Sequence, residues 1–345
     1  MRSLQSRPAI SCAIAALAFG ASCALFRATA PFPDVPVVRE KIEYFSKRRG
    51  EFDAVFIGSS RIHTGIVPRI FDRMVRSHGH VLHSFNLGVG GMHAPEVFYF
   101  LRAVAAQKPP RLKWVFVELE NFHTEIPKQW RGTIREMYWH TGPETALLFR
   151  LIWAPAKSQE SPLALVWRIA HVWLPHLALM MSNLSGFGRG PEIFLRQRAS
   201  QGREDAGSLS QDAGFLSLGE SAKLSPVEFA DYEQALKRLD GKQPALTAAD
   251  RVFLTELEQV ENEFARLGAR TIFIVPPTSS VVNKQILAGD GKRKHVLFAF
   301  DDPREFASLY SVSARRDSEH LKGSAAGEFT RLLARRFSEY LSAQP

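Results

Sequence analysis

The sequence predicts an α/β protein, a three-layer α/β/α sandwich built on a parallel sheet of about five strands. Short apolar runs bounded by glycine, proline or charged residues are typical of strands buried on both faces of a parallel sheet. Segments with apolar residues at helical spacing alternate with these runs, which indicates βαβ units. With 345 residues, 45% of them hydrophobic, the chain is long enough to bury a full core.

The first three strands are predicted at residues 53–57, 81–85 and 114–121. A helix that begins near Pro68 and stops at Gly79 separates the first two strands, because its apolar residues recur on one side. The turn after the first strand therefore joins a strand to a helix. In open α/β sheets such connections line the crevice in which ligands bind.

The second half of the chain resumes the alternation after a long interruption. A helix is predicted at residues 247–267, ended by Gly268, and a buried strand at 271–275. A fifth strand at 296–300 is expected at the edge of the sheet. A helix at 325–341 closes the predicted domain.

The N-terminal 30 residues form a predicted membrane anchor or signal segment. The stretch from Pro8 to Phe26 carries no charge and is flanked by arginine on both sides. Its length lies between a signal-peptide core and a membrane span. The sequence at 28–30 resembles a cleavage site, but Pro31 directly after it is unfavourable, so we expect an uncleaved anchor with the bulk of the chain extracytoplasmic, on the periplasmic side. Cleavage would instead give a secreted or periplasmic protein.

Both cysteines, Cys12 and Cys23, lie in this segment. Residues 31–345 therefore have no thiol for a disulfide or for cysteine catalysis. The net charge of +9 comes without a sustained basic stripe, so we expect anionic lipid or glycan as a partner and no nucleic acid.

Residues 124–245 form a predicted helical and loop insertion in the domain. Its first part contains Trp139, Trp153, Trp167 and Trp173 among aliphatic residues. Such a segment forms either a lid or lipid-facing surface over the active site, or helices that simply pack on the sheet and on one another. Arg168 and Pro175 lie in the most apolar part of the insertion. Both residues argue against a second membrane span there.

Three residues at opposite ends of the chain supply the groups of a nucleophilic active site. Ser60 ends the turn after the first strand, and Asp317 and His320 lie three residues apart near the C-terminus. A serine becomes a nucleophile when an imidazole takes its proton and a carboxylate orients that imidazole. Ser59 is the second candidate for the nucleophile, after Ser60. In the alternative interpretation the two serines are ordinary turn residues, Asp317 caps the closing helix and His320 is a surface histidine.

Two further segments end predicted strands with groups that donate hydrogen bonds. Gly91 follows the second strand in a glycine-rich run that lets a backbone N–H approach a substrate oxygen. Asn121 ends the third strand, and its side-chain amide is a second candidate donor.

These four segments resemble the SGNH (GDSL-type) hydrolase superfamily. The nucleophile of that family is the third residue of Gly-Asp-Ser, which corresponds to Ser60 in the Gly58-Ser59-Ser60 turn. The block-two glycine lies five residues after an asparagine, as Gly91 does after Asn86. Asn121 matches block three, and the last block, Asp-x-x-His, matches Asp317 and His320. The resemblance implies an oxyanion hole formed by Ser60 N–H, Gly91 N–H and the side chain of Asn121.

Three positions depart from the common pattern, namely Ser59 in place of aspartate, Arg61 in place of an aliphatic residue, and Glu120 before Asn121. In this the chain is more similar to membrane-tethered relatives that act on cell-surface polymers, including the acyl-transfer proteins of teichoic-acid alanylation and alginate acetylation. The resemblance implies an O-acyl esterase or acyltransferase that acts on an acylated cell-envelope polysaccharide or a related ester. It also implies a membrane acyltransferase as a partner that supplies the acyl group.

Two other functions stay open at this point. The tryptophan-rich insertion favours a lipid-directed esterase, which micelles would activate. The departures at Ser59 and Glu120 favour a catalytically silent binding or assembly protein with the same fold. No cofactor and no metal are expected, because the glycines at 88 and 90 lack the third glycine of a dinucleotide site and the histidines at 78, 80 and 83 have no acidic partner nearby.

Overall fold

The computed structural model describes residues 6–29, 32–120, 128–154, 161–189, 206–221, 225–239, 244–288 and 294–344. The chain forms two compact units. The first, called the helical unit here, comprises Met1–Arg39, Glu125–Trp153 and Lys157–Gln201. The second, the sheet unit, comprises Glu40–Thr124, Ala154–Ala156 and Gly202–Pro345.

The sheet unit contains one five-stranded parallel sheet. Its strands are β1 (Ala54–Ile57), β2 (Ser84–Asn86), β3 (Trp114–Glu118), β4 (Arg270–Val275) and β5 (Leu297–Ala299). They lie in the order β2-β1-β3-β4-β5, and every neighbouring pair is parallel. The predicted parallel sheet of about five strands is confirmed, with β5 at an edge. In this order the chain reverses direction across the sheet between β1 and β3, which is where a crevice opens at the strand ends.

The second strand begins later than predicted. Residues 81–83 precede β2, and Val81 is exposed. His83 instead holds the start of β1: its carbonyl accepts the N–H of Asp53 at 2.8 Å, and its N–H donates to the Asp53 carboxylate at 3.1 Å.

Helices account for most of the remaining described residues. They are α1 (Ser6–Thr29), α2 (Val38–Arg48), α3 (Ser60–His63), α4 (Pro68–Ser77), α5 (Ala94–Ala106), α6 (Ile134–Met137), α7 (Gly142–Trp153), α8 (Pro162–Arg168), a π-helical segment (Ile169–Trp173), α9 (Leu174–Ser185), α10 (Ala206–Asp212), α11 (Pro226–Arg238), α12 (Ala248–Arg266), α13 (Ala307–Tyr310) and α14 (Gly323–Ser342). Short 3-10 turns lie at Lys128–Trp130, Phe187–Arg189, Lys284–Ala288 and Val312–Ala314. The predicted helices at 68, 247–267 and 325–341 correspond to α4, α12 and α14.

Aromatic side chains join the sheet to two of these helices. Phe56 of β1 and Phe116 of β3 stack at 4.8 Å, and both contact Phe71 of α4. Phe337 of α14 packs on Phe116 at 5.1 Å. The neighbouring residues of β1 point to the opposite face and are also fully buried. Both faces of the sheet are therefore covered, as its continuous apolar strands require.

The helical unit contains the N-terminal apolar helix α1 and the helices of the predicted insertion. Among the described residues, two helices are long and apolar enough to cross a membrane, Pro8–Phe26 and Pro162–Ser185. The second comprises α8, the π-helical segment and α9, and is called the α8–α9 helix below. The helices of the insertion pack on one another, and α9 contacts α1.

Candidate active site

Ser60 lies at the tight turn between β1 and α3, at the switch point of the sheet. It is the first residue of α3, and Ser59 is the N-cap, whose hydroxyl accepts the N–H of Arg61 at 3.3 Å. A Cβ on Gly58 would lie 2.5 Å from the Cβ of Glu118. Only glycine permits this close approach of the turn to the end of β3.

Ser60, His320 and Asp317 form one hydrogen-bonded chain. The Ser60 Oγ lies 2.7 Å from His320 Nε2, and His320 Nδ1 lies 2.8 and 2.9 Å from the two oxygens of Asp317. Ser59, by contrast, is buried and acts as the helix cap. The N-cap of α14 is Lys322 and not Asp317, so the geometry favours Ser60 as nucleophile over the alternative of ordinary turn and cap residues.

The carboxylate of Asp317 is held in its ionised form. Burial acts to raise the pKa of Asp317, but hydrogen bonds from His320 and from the backbone N–H of Glu319 outweigh it and lower the pKa to about 2. An ionised Asp317 accepts a hydrogen bond from the protonated Nδ1 of His320. The Nε2 of His320 then has a free lone pair that can accept the proton of the Ser60 hydroxyl.

Of the three predicted oxyanion donors, Ser60 belongs to the hydrogen-bonded chain with His320 and Asp317. Gly91 lies in the turn between β2 and α5, with a φ of +70° that favours glycine. Asn121 lies outside the described residues. Their role, like that of Ser60 N–H, stays a prediction.

Asn86 has a structural role that sequence reasoning missed, since there it served only as a spacing marker. Its Nδ2 donates to the carbonyls of Ile62 and Ile66 at 2.8 Å each, and its Oδ1 accepts the N–H of Gly88 at 2.8 Å. The side chain is fully buried. Asn86 therefore ties the helix that carries Ser60 to the loop that leads to Gly91.

Lys41 contacts the same loop, and sequence reasoning missed its structural role as well. Its fully buried ammonium donates to the carbonyls of Gly214 at 2.6 Å, Gly88 at 2.7 Å and Asn86 at 3.1 Å. Nothing local in the sequence distinguishes this lysine from a surface lysine of α2, because its three acceptors are distant along the chain.

Arg61, the residue after the candidate nucleophile, lies among three carboxylates. Its Nε donates to Glu118 at 2.7 Å, and its other nitrogens lie 3.4 Å from Glu319 and 3.6 Å from Glu120. Burial acts to lower the pKa of Arg61, but the three carboxylates outweigh it and raise that pKa. Arg61 is therefore always cationic, and it joins loops at the ends of β1 and β3 to the loop that carries His320.

The three carboxylates differ in their surroundings. Glu118 also accepts a hydrogen bond from the N–H of Ser59 at 2.5 Å, so it directly stabilises the turn that carries Ser60. Burial, and next the charge of Glu118, raise the pKa of Glu120 to about 8 despite Arg61. At neutral pH most of the Glu120 carboxyl is therefore protonated, which limits repulsion between the two glutamates.

Glu319 connects the loop of His320 to the end of β4. It accepts hydrogen bonds from the hydroxyls of Ser279 at 2.6 Å and Thr278 at 2.9 Å. Burial acts to raise its pKa, but the hydrogen bond from Ser279, the charge of Arg61 and the hydrogen bond from Thr278 lower it. The loop that carries Asp317 and His320 is thus held by polar contacts on both sides.

A cleft of about 260 Å³ opens beside Asp317. Its lining residues are Glu228, Asp231, Tyr232, Ala235, Ser279, Asp317 and Ser318, and all of them except Ala235 carry a hydroxyl or carboxyl group. Groups of this kind hydrogen-bond well to hydroxylated ligands and poorly to acyl chains.

Within the described part of the chain, no group of three or more His, Cys, Asp or Glu residues is arranged to hold a metal ion. The histidines at 78 and 83 each have a backbone carbonyl within hydrogen-bond distance of Nδ1, at 2.8 and 3.0 Å. No protein-family model and no curated protein matches this chain.

Proposed function

We propose that the protein is a serine-dependent O-acyl esterase or acyltransferase of the SGNH type, with the three-layer α/β/α arrangement of that superfamily. The observation that carries the proposal is the hydrogen-bonded chain from Ser60 through His320 to Asp317. Its position at the β1/β3 switch point supports the proposal, because ligands of open α/β sheets bind there.

The reaction has two steps. His320 Nε2 takes the proton of Ser60 as Oγ attacks the ester carbonyl carbon, and the carbonyl oxygen becomes an oxyanion. Ser60 N–H, Gly91 N–H and the side chain of Asn121 are its proposed donors. His320 then donates the proton to the leaving alcohol, and an acyl-enzyme forms on Ser60.

The acyl-enzyme is resolved by a hydroxyl group. His320 removes a proton from water or from a sugar hydroxyl as that oxygen attacks the acyl carbon. His320 then returns the proton to Ser60 Oγ as the bond between Oγ and the acyl carbon breaks. Water gives an esterase and a sugar gives a transferase. The hydroxyl and carboxyl groups at the cleft beside Asp317 can hydrogen-bond to a sugar, which supports an acylated glycan of the cell envelope as the substrate.

The proposed location is the outer side of the membrane, with α1 as the anchor. Its length and apolar composition support this part of the proposal. A membrane acyltransferase that passes acyl groups to Ser60 is the proposed partner.

The proposal is tested by labelling the full-length protein in detergent with a fluorophosphonate, which reacts with activated serines. We expect labelling of the wild type, loss of labelling in Ser60→Ala and His320→Ala, and retention in Ser59→Ala. Ser59→Ala is the matched control, because it removes the neighbouring hydroxyl. A folded wild type that is not labelled, or labelling that survives Ser60→Ala, would contradict the proposed nucleophile.

A further inference from the structure

The α8–α9 helix presents its apolar side chains outward. The most exposed of these residues are Leu163 at 81%, Val166 at 62%, Trp167 at 61%, Met181 at 54% and Leu174 at 48%. Their spacing of three, four and seven residues places them on one side of the helix. In water this side of an amphipathic helix is normally the buried one.

Two polar side chains of the same helix, those of His176 and Asn183, face inward. His176 is 2% exposed, and its Nδ1 lies 2.8 Å from Nε2 of His140. Asn183 donates to the carbonyls of His140 at 3.0 Å and Tyr138 at 3.1 Å. Polar residues inside and apolar residues outside are the arrangement of a helix surrounded by hydrocarbon.

The N-terminal helix α1 is continuous with this apolar surface. α9 contacts α1, and a Cβ on Gly186 would lie 2.5 Å from the ring of Phe26. Large side chains of α1 are also exposed, including Leu17 at 74% and Leu25 at 66%. A helix that packs on a membrane helix meets the same bilayer.

The dimensions and charge of the helical unit fit a membrane. The 24 residues of the α8–α9 helix span about 36 Å at 1.5 Å per residue, against about 30 Å of hydrocarbon. Arginine and lysine outnumber aspartate and glutamate in this unit roughly two to one, which suits anionic headgroups.

The outward face also lacks the polar groups that a protein partner would bind. Its one ionisable side chain in the described range, His171, stacks on Trp167 at 4.5 Å and has Nδ1 2.9 Å from the Trp167 carbonyl. Protein interfaces have polar rims with many hydrogen bonds, whereas lipid acyl chains require none.

We propose that the outward face of the α8–α9 helix lies against the acyl chains of a lipid bilayer beside α1. Arg168 and Pro175 then do not oppose membrane contact. Arg168 lies on the partly buried side, and Pro175 follows a π-helical segment that already alters the helix hydrogen bonding. The inference rests on α1 as a membrane helix and is independent of the catalytic proposal.

The test uses the full chain with Cys12→Ser and Cys23→Ser, reconstituted in vesicles of phosphatidylcholine and phosphatidylglycerol. An environment-sensitive fluorophore is attached at Val166→Cys, and nitroxide groups on the lipid acyl chains act as quenchers. Val81→Cys is the matched control, because Val81 is a similarly exposed valine, at 74%, in the sheet unit. Leu17→Cys reports on α1.

We expect the label at 166 to lose about half or more of its emission to the nitroxide lipids, as at 17, while the label at 81 is unaffected. Quenching at 166 no stronger than at 81 would overturn the inference, whether or not the label at 17 is quenched. A label at 166 that is shielded from water but not quenched would also overturn it, because protein would then cover the face. Fluorophosphonate labelling of the same samples reports separately on Ser60.

Discussion

The α8–α9 helix of the helical unit differs from the sheet unit in the side chains that it turns inward. In the sheet unit, Phe56 and Phe116 are fully buried under helices. In the helical unit, His176 and Asn183 face inward while Leu163 and Trp167 face outward. Because burial of apolar surface drives folding only against water, each arrangement is stable in a different solvent. The contrast supports the proposal that the α8–α9 helix lies against lipid, whereas the apolar core of the sheet unit is typical of a protein in water.

The sheet unit also buries polar side chains, and one cluster of them lies at the strand ends. Arg61 lies there with Glu118 and Glu319, next to Ser60. Buried charges of this kind are costly unless they are paired, and they are typical of functional sites. The following predictions test the contrast between the units, beginning with the largest expected effect.

Replacement of Asp317 by asparagine should remove activity without unfolding the sheet unit. Asparagine favours the wrong His320 tautomer, so we expect kcat for p-nitrophenyl acetate to fall about 10³- to 10⁴-fold. Asp302→Asn is the control, since the Asp302 side chain is similarly exposed, at 40% against 46% for Asp317, and also accepts the N–H of the residue two further on, at 2.9 Å. A loss of only a few-fold in Asp317→Asn would remove Asp317 from the proposed chain.

Truncation of an aromatic residue should affect the two units very differently. Phe337→Ala leaves a cavity against Phe71 and Phe116, and we expect it to lower the free energy of unfolding by about 4 kcal/mol. Trp167→Ala removes an outward side chain and should change stability by less than about 0.5 kcal/mol in detergent. Urea unfolding of both variants measures the difference. Equal losses would mean that Trp167 is packed in a protein core.

Loss of Arg61 should destabilise the sheet unit. Arg61→Met leaves Glu118 buried without its cation, and we expect a loss of about 3 kcal/mol in the free energy of unfolding. Arg48→Met is the matched control, because Arg48 pairs with Glu51 at 3.5 Å on the surface and should cost less than about 1 kcal/mol. Similar values for the two variants would show that the Arg61 cluster does not hold the loops together.

Glu120 should make stability depend on pH. Its pKa rises from 4.5 to about 8 in the folded state, so its contribution is fully present below pH 4.5 and is lost as the pH rises through 8. We expect Glu120→Gln to match the wild type at pH 5 and to be more stable by about 2 kcal/mol at pH 9, after allowance for partial exposure to solvent.

Thermal unfolding at the two pH values measures the effect of Glu120. Glu228→Gln is the control, because a backbone hydrogen bond from Ser225 lowers the pKa of Glu228. That variant should gain nothing at pH 9. If Glu120→Gln gains no stability at high pH, Glu120 is already ionised in the neutral range.

The smallest effect is expected inside the helical unit. Asn183→Ala removes donors from the carbonyls of Tyr138 and His140 and should cost about 1 to 2 kcal/mol. Met181→Ala, two residues earlier on the outward face, should change stability by less than about 0.5 kcal/mol. Melting in detergent compares the two. The reverse order would contradict the inside-out arrangement.

Local sequence signals were sufficient for the five strands, although β2 begins later than predicted, and for the helices α4, α12 and α14. Each is a short run whose apolar pattern needs no distant partner, as at β4 and α12. Asp317 and His320 were also recognisable, because a spacing of three residues brings them together within one loop. The family resemblance was needed to pair them with Ser60.

The supporting residues were not recognisable for a physical reason. Lys41 and Glu118 act on acceptors and donors far along the chain, and no local pattern marks them. The insertion shows a different limit. Periodicity identifies which residues of the α8–α9 helix share a face, but it does not identify the solvent that the face meets.

The separation of Ser60 from His320 has a consequence for biogenesis. The two residues are 260 positions apart, and the helices of the insertion are synthesised between them. At about 5 to 20 residues per second, the ribosome needs on the order of ten seconds or more to pass from one to the other. In the proposed enzyme, a nascent chain therefore carries Ser60 without the imidazole proposed to activate it, and the proposed reactivity arises only after translation of the last segment.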